Sequence, residues 1–384
     1  MKAKKQLFLV LIIGLIGYSL IAYYGLLTFD GIMINKQNKT EKEKEEEEKI
    51  QTYDLSLVMV GDALIHKSVY NDAYVGNNVY DFKKMFEDIK PIIKDYDLAF
   101  YNQESIIGGK TLGISGYPLF NAPDEIGDAM LDMGFNLVSL ANNHTLDKKE
   151  EGIRYSLDYW KDKDVMTAGS YASEEDRIKD NIKTKNNISY SLLAYTVRTN
   201  GLKIPTGKDY LVNVYDKEKV KADIERIRDK VDVLIVSMHW GSEYTNTPTY
   251  EEKEIAEYLS SLGVDIIIGH HPHVVQPIDY INNTLVIYSL GNFVSAQDTT
   301  NKLTGLMASL NIEKIVDKDK VTINIKDVKG TLIYTYYKNW RNFKVIPYSK
   351  LNNSLLSNYQ SNYETYSNVI KQYRNEITVD PLEE

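Results

Sequence analysis

The segment Gly269–Pro277 reads GHHPHVVQP and puts three of the chain's six histidines, His270, His271 and His273, within four positions. The other three also stand near oxygen donors. His66 follows Asp62 in LVMVGDALIH, His144 follows Asn142 and Asn143 in LVSLANNH, and His239 precedes Glu243 in VLIVSMHWGSEY. Asn102 and Glu104 close a further apolar run in LAFYNQES. Imidazole suits zinc, iron, manganese or cobalt, and carboxylate and amide oxygens suit the harder end of that series. Two such ions roughly 3.5–4 Å apart polarise a phosphoryl or acyl oxygen and activate water at neutral pH. A histidine outside the ligand set can protonate a leaving group. Taken singly, an asparagine that ends a strand or a histidine in a core explains each residue. Their clustering beside one another points to a metal or anion site.

The elements that must position these residues follow from the apolar runs. Strands are expected at Leu55–Val60, Leu98–Tyr101, Asn136–Leu140, Ser189–Tyr195, Val231–Met238, Val264–Ile268 and Thr284–Tyr288. Several are apolar without interruption, as in strands buried on both faces. Helical patterns lie between them: Asp124 is the expected N-cap of a helix ending at Gly134, and Lys217–Lys230 and Tyr250–Leu262 are amphipathic. The result is a layered α/β architecture in which all six histidines fall at strand C-terminal ends, the edge where open α/β sheets bind ligands. Beyond Asn301 the pattern changes to shorter alternating, antiparallel-type strands, then a Tyr/Asn-rich stretch, Tyr348–Arg374, expected to be helical.

Composition limits the alternatives. The 384 residues carry a net charge of −9 and no cysteine, which excludes thiolate chemistry and gives no general attraction for nucleic acid. Leu7–Leu27 is a run of 21 uncharged residues after Lys2, Lys4 and Lys5, long enough to span a hydrocarbon core. It reads as an uncleaved anchor rather than a cleaved signal, because no small-residue cleavage site follows it cleanly. The charged run TEKEKEEEEKI, Thr40–Ile50, reads as a solvated tether or short helix. The expected organisation is therefore a cytoplasmic stub and anchor at 1–30, a charged linker at 31–52, a main domain at 53–298, and a β/α extension at 299–384 that packs on it.

GDALIH, NQES, ANNHTLD, HWGSEY, GHHPHVVQP and YSLGNFV occur in the order and approximate spacing seen in the CapA/PgsA capsule-synthesis family, and the chain resembles that family over about Leu55–Gln297. The family is associated with poly-γ-glutamate and resembles the calcineurin-type metallophosphoesterases. The resemblance implies a metallophosphoesterase-like two-sheet sandwich flanked by helices, carried on an N-terminal transmembrane helix. It implies one or two divalent ions, manganese, iron or zinc, held by Asp62, Glu104, Asn143, His239, His271 and His273, with His144 as the leaving-group acid. His66, Asn102, Asn142, Asp147, Glu243, His270 and Asn292 would support them. Two departures stand out: Asp62 and His66 are spaced D-x-x-x-H where metallophosphoesterases usually show D-x-H, and Glu104 replaces an aspartate. The implied setting is a single-pass protein of the cell membrane with its globular part outside. Its partners would be an anionic polymer, poly-γ-glutamate, or a phosphorylated precursor, together with membrane synthase or export subunits. Two other readings stay open: a non-catalytic scaffold or polymer-binding subunit, and an extracytoplasmic phosphatase unrelated to capsule.

Overall fold

The computed structural model describes residues 2–46 and 50–382. They fall into two units, Met1–Thr52 with Ile315–Thr322, and Tyr53–Lys314 with Ile323–Glu384. In the first unit one helix runs from Lys2 to Glu46. Its stretch Gln6–Ile34, 29 residues with mean hydropathy 2.2, is long and apolar enough to cross a membrane. At 1.5 Å per residue it measures about 43 Å against a hydrocarbon core of about 30 Å. Lys and Glu are good helix formers, and the charged run is helical as far as Glu46. The end of that run, 47–49, lies outside the described residues.

In chain order, β1 (Gln51–Ala63) is followed by a small hairpin of β2 (Tyr74–Gly76) and β3 (Val79–Tyr80). Then come β4 (Leu98–Asn102), β5 (Leu137–Ser139), β6 (Met166–Ala168), β7 (Ile182–Lys185), β8 (Ile188–Thr196), β9 (Val233–His239) and β10 (Ile266–His270). The remainder are β11 (Ile278–Ile281), β12 (Thr284–Ile287), β13 (Asn292–Val294), β14 (Thr304–Asp317), β15 (Lys320–Lys338), β16 (Arg341–Pro347) and β17 (Thr378–Val379). One sheet has the order β16-β15-β14-β1-β4-β5-β6, with β13 also on β1 and β17 on β15. The other has the order β11-β12-β10-β9-β8-β7. The centre of each is parallel: β13, β4, β5 and β6 in the first, and β12, β10, β9 and β8 in the second. Strands β14–β16 continue the first sheet.

Alternation along each strand builds the layers. Leu55, Leu57 and Met59 of β1 share a core with Leu192, Ile235, Ile266 and Ile268 of the second sheet, so the two sheets pack face to face. Val58 and Val60 point the other way, onto Ile126, Met130 and Trp160 of helices Asp124–Met133 and Lys149–Lys161. On the second sheet Leu234, Val236 and Ile267 face Val220, Ile224, Ile255 and Leu259 of helices Lys217–Ile227 and Tyr250–Ser261. Both faces of both sheets are thus covered, which explains the unbroken apolar runs. The architecture is a two-sheet sandwich flanked by helices.

Two helix expectations need correction. Pro123, not Asp124, holds the N-cap of Asp124–Met133; its extended backbone leads into the helix, and Asp124 and Glu125 supply the acidic first turn that the helix dipole favours. The C-terminal stretch is helical only at Tyr359–Ile370, after a short 3-10 turn at Tyr348–Lys350. Between them the Asn352 carboxamide accepts the backbone N–H groups of Ser354 and Leu355, and Asn358 adopts a left-handed backbone, so local side-chain bonds displace the helix.

Candidate functional site

Strand register writes one polar row into each sheet. In the first, Asp62 on β1 lies opposite Asn292 of β13 and Asn102 of β4, and Asn102 lies opposite Ser139 of β5. In the second, His239 on β9 lies opposite His270 of β10 and Thr196 of β8. Both rows sit at the carboxyl ends of parallel strands, except that Asn292 opens β13, and there the sheets meet. The Asn102 carboxamide donates to Asp62 Oδ1 at 2.8 Å and lies 3.4 Å from His239 Nδ1, which links the two rows. Two glycines permit this convergence. A Cβ on Gly61 would stand 1.8 Å from the Gly291 carbonyl oxygen, and one on Gly269 would stand 1.8 Å from that of Tyr288. Each glycine directly precedes a site residue, Asp62 or His270.

Glu104, His271 and His273 are buried with one potential ligand atom each, all within 4.8 Å of one another. His273 Nε2 lies 3.6 Å from Glu104 Oε1, while its Nδ1 is 3.0 Å from Asn292 Oδ1 and 3.2 Å from Asp62 Oδ2. His239 Nε2 is 2.9 Å from Asn143 Oδ1 and 3.5 Å from Glu104 Oε1. The His239 ring packs 4.8 Å from that of His271. His271 and His273 both carry positive φ, 95° and 57°, which side chains other than glycine rarely adopt. His270 stacks on Phe100 at 5.4 Å; its Nδ1 is 3.5 Å from Asp62 Oδ1, too far for a good hydrogen bond, and neither ring nitrogen has a hydrogen-bond partner.

The donor set fits a divalent cation. Both Glu104 oxygens and His271 Nδ1 are buried without a hydrogen-bond partner, and a buried group left so carries its full desolvation cost unless something else satisfies it. Burial, reinforced by the Asp62 charge, pushes the Glu104 carboxyl well above its ordinary range. Burial also raises Asp62, but contacts with His270 and His273 outweigh it and hold that carboxyl well below the usual range. Burial keeps His239 and His271 neutral, His271 at about 3, so their lone pairs are available to a metal. His273 is also buried, yet the Glu104 and Asp62 charges raise it to about 9.

A second group lies around Phe120. His144 Nδ1 is 2.7 Å from Asp147 Oδ2, which also accepts the Phe120 backbone N–H at 2.6 Å. Phe120 meets His144 and His66 edge-on, at 4.7 and 5.3 Å. Asn142 holds this turn through the His144 N–H and bonds the Gln103 carbonyl. His66 stands off from the carboxylates: its Nδ1 meets the Ala296 N–H at 3.2 Å and lies 3.1 Å from the Leu64 carbonyl, and burial lowers it to about 4. Glu243 is exposed and acts on Glu104 and His273 only through its charge. Three residues at the site escaped the sequence reading: Phe120, Gln103 and Tyr244. Gln103 and Tyr244 stand within the motifs NQES and HWGSEY, while Phe120 stands outside all of them. A cavity of about 580 Å³ lies elsewhere, beside Trp160, Lys161 and Tyr171, and no site residue lines it.

A family model described as bacterial capsule synthesis protein PGA_cap matches residues 56–297, the stretch that holds every site residue. The PGA biosynthesis protein CapA of Bacillus subtilis (strain 168) is 28% identical over 284 residues, 71% of this chain and 72% of that protein. The capsule biosynthesis protein CapA of Bacillus anthracis is 25% identical over 342 residues, 85% of this chain and 78% of its own. A shorter match, 33% over 63 residues, or 16% of this chain and 17% of the relative, is to a probable polyglutamine synthesis accessory protein of Mycobacterium tuberculosis (strain CDC 1551 / Oshkosh).

Proposed function

The chain belongs to the bacterial capsule synthesis protein family, and from that premise we propose that it is a membrane-anchored, metal-dependent hydrolase acting in synthesis or export of an anionic capsular polymer, poly-γ-glutamate. The observation that carries the reading is the pair of unpartnered Glu104 oxygens buried among the imidazoles of His239, His271 and His273. Glu104, His271 and His273 would hold a manganese, iron or zinc ion, with Asp62, His239 and Asn143 beside them for a second. Bound there, the ion supplies Lewis acidity toward a phosphoryl or acyl oxygen. His144 does the proton work. Asp147 accepts from Nδ1, which orients the ring, and from the doubly protonated ring Nε2 would give its proton to the leaving group and leave the neutral imidazole. Phe120 covers this pair and limits its contact with water. The apolar helix anchors the protein, with the sandwich outside the cytoplasm, beside synthase or export subunits and the polymer or its phosphorylated precursor.

A specific observation favours a second reading, a non-catalytic subunit. Asp62 already receives the Asn102 carboxamide and a His273 contact, so part of the cluster is satisfied by the protein itself. His144→Asn separates the two. Asp147 keeps its bond from Phe120, so the fold should hold. The hydrolase reading expects unchanged metal content by elemental analysis, a loss of about 10²–10⁴-fold in hydrolysis of a chromogenic phosphodiester, and reduced surface polymer. Normal surface polymer at normal protein level would leave the non-catalytic reading standing alone.

A further inference from the structure

We propose that Tyr244 is a substrate-contacting residue, its phenol donating a hydrogen bond to an oxyanion, phosphoryl or carboxylate, seated over Glu104, His271 and His273. The inference rests on the metal-site reading above and goes beyond it. Tyr244 holds a left-handed backbone, φ 66°, a conformation disfavoured for an aromatic residue. Its surroundings impose it. The Tyr244 N–H donates at 2.8 Å to the carbonyl of Pro272, the residue between the two ligand histidines. The loop around it is tied down on three sides. Arg198 donates to the Gly241 carbonyl at 2.9 Å, Gln276 to that of Thr245 at 3.0 Å, and the Asn246 carboxamide to that of Val275 at 2.8 Å.

That scaffold delivers the ring to one place. It lies 6.2 Å from the His273 ring, centroid to centroid, and the Lys302 ammonium sits 4.4 Å from its centroid. Lys302 is itself tied to the site: its carbonyl accepts from Asn292, the residue that holds His273 Nδ1. Yet the residue is 46% exposed, so packing does not account for it. A disfavoured backbone maintained to present a half-exposed phenol beside a buried ligand histidine is the pattern of a functional constraint. An ordinary phenol keeps its hydrogen at physiological pH, so toward an anion it acts as a donor.

The test uses the full chain in detergent with added Mn²⁺, titrated calorimetrically with inorganic phosphate and, separately, with γ-glutamylglutamate. Tyr244→Phe retains the ring and its contact with Lys302. It should bind one of the two probes at least about tenfold more weakly, the worth of one hydrogen bond to a charged group, with unchanged metal content. The probe affected identifies the oxyanion. Tyr244→Gly relieves the backbone, so its melting temperature should equal or exceed that of the parent while binding is lost. Equal affinities of the Phe variant and parent for both probes, or a parent that takes up metal but binds neither, would overturn the inference and spare the metal reading. Failure of the parent to take up metal would overturn both.

Discussion

Replacing Glu104 with Gln should stabilise the metal-free protein and weaken its response to metal, two effects of opposite sign from one nearly isosteric change. Without metal, the Glu104 carboxyl is fully buried beside Asp62 with neither oxygen hydrogen-bonded. An unsatisfied buried polar group costs about 1–3 kcal/mol, and more when charged. The amide cannot ionise, and it places a neutral group 3.5 Å from His239 Nε2 and 3.6 Å from His273 Nε2. For a domain of this size, 1–3 kcal/mol corresponds to a rise in melting temperature of about 1.5–4 °C. The pH dependence has a definite sign. A carboxyl whose folded pKa is raised contributes stability below its ordinary value of 4.5 that is lost as pH rises. The advantage of the Gln variant should therefore be smallest below about pH 4 and grow as pH rises above it. With metal the order reverses. An ion at about 100 times its dissociation constant stabilises the native state by about 2.7 kcal/mol, and the variant forfeits most of that gain. The assay is thermal unfolding of parent and variant in EDTA and in Mn²⁺, at pH 4 and pH 7. A variant that melts lower than the parent in EDTA at pH 7, or gains as much from Mn²⁺, refutes the reasoning and makes Glu104 a structural group.

Two further outcomes follow from the fold. Gly61→Ala and Gly269→Ala each drive a methyl group into a backbone carbonyl at 1.8 Å, so each should cost at least about 3 kcal/mol in chemical denaturation or prevent accumulation of folded protein; a loss under 1 kcal/mol would mean the strands part easily. Protease added to intact protoplasts should digest the sandwich but not the cytoplasmic end of the apolar helix, and protection until lysis would place the globular part inside.

The parts of this molecule that were legible in its sequence are those with one dominant physical cause. A strand covered on both faces must be apolar at every position, and VLIV of β9 or DIII before and within β10 says so directly. The polar residue that interrupts such a run marks the strand's end, which is why Asp62, Asn102, His239 and His270 could be assigned to one edge without knowing the register. Where two causes compete, the reading failed. Tyr348–Arg374 has the composition of a helix, but Asn352 and Asn358 offer the backbone local alternatives that win over part of it. Asp124 is a good N-cap residue, but the proline before it already imposes the entry geometry.

The site divides along the same line. Residue types predict which groups can share a cation; they do not predict which nitrogen of an imidazole already has a partner. His66 and His273 are indistinguishable as letters, yet His66 spends Nδ1 on the Ala296 N–H beyond reach of the carboxylates, while His273 stands between Asp62 and Glu104. The longer D-x-x-x-H spacing was the visible sign of that difference. Left-handed backbone at His271, His273 and Tyr244 left no such sign, because neither residue type requires it. It arises from long-range contacts: the Pro272 carbonyl taken by Tyr244, and the His271 N–H directed at Asp62 Oδ2, 3.4 Å away and 209 residues earlier in the chain. The glycines were the missed opportunity. Gly61 and Gly269 each stand one residue before a site residue, and a glycine at the end of an otherwise bulky apolar strand signals close backbone approach before any coordinates exist. That approach is what lets the two polar rows meet, so the local cost of two flexible residues is tied directly to the geometry on which a cation site depends.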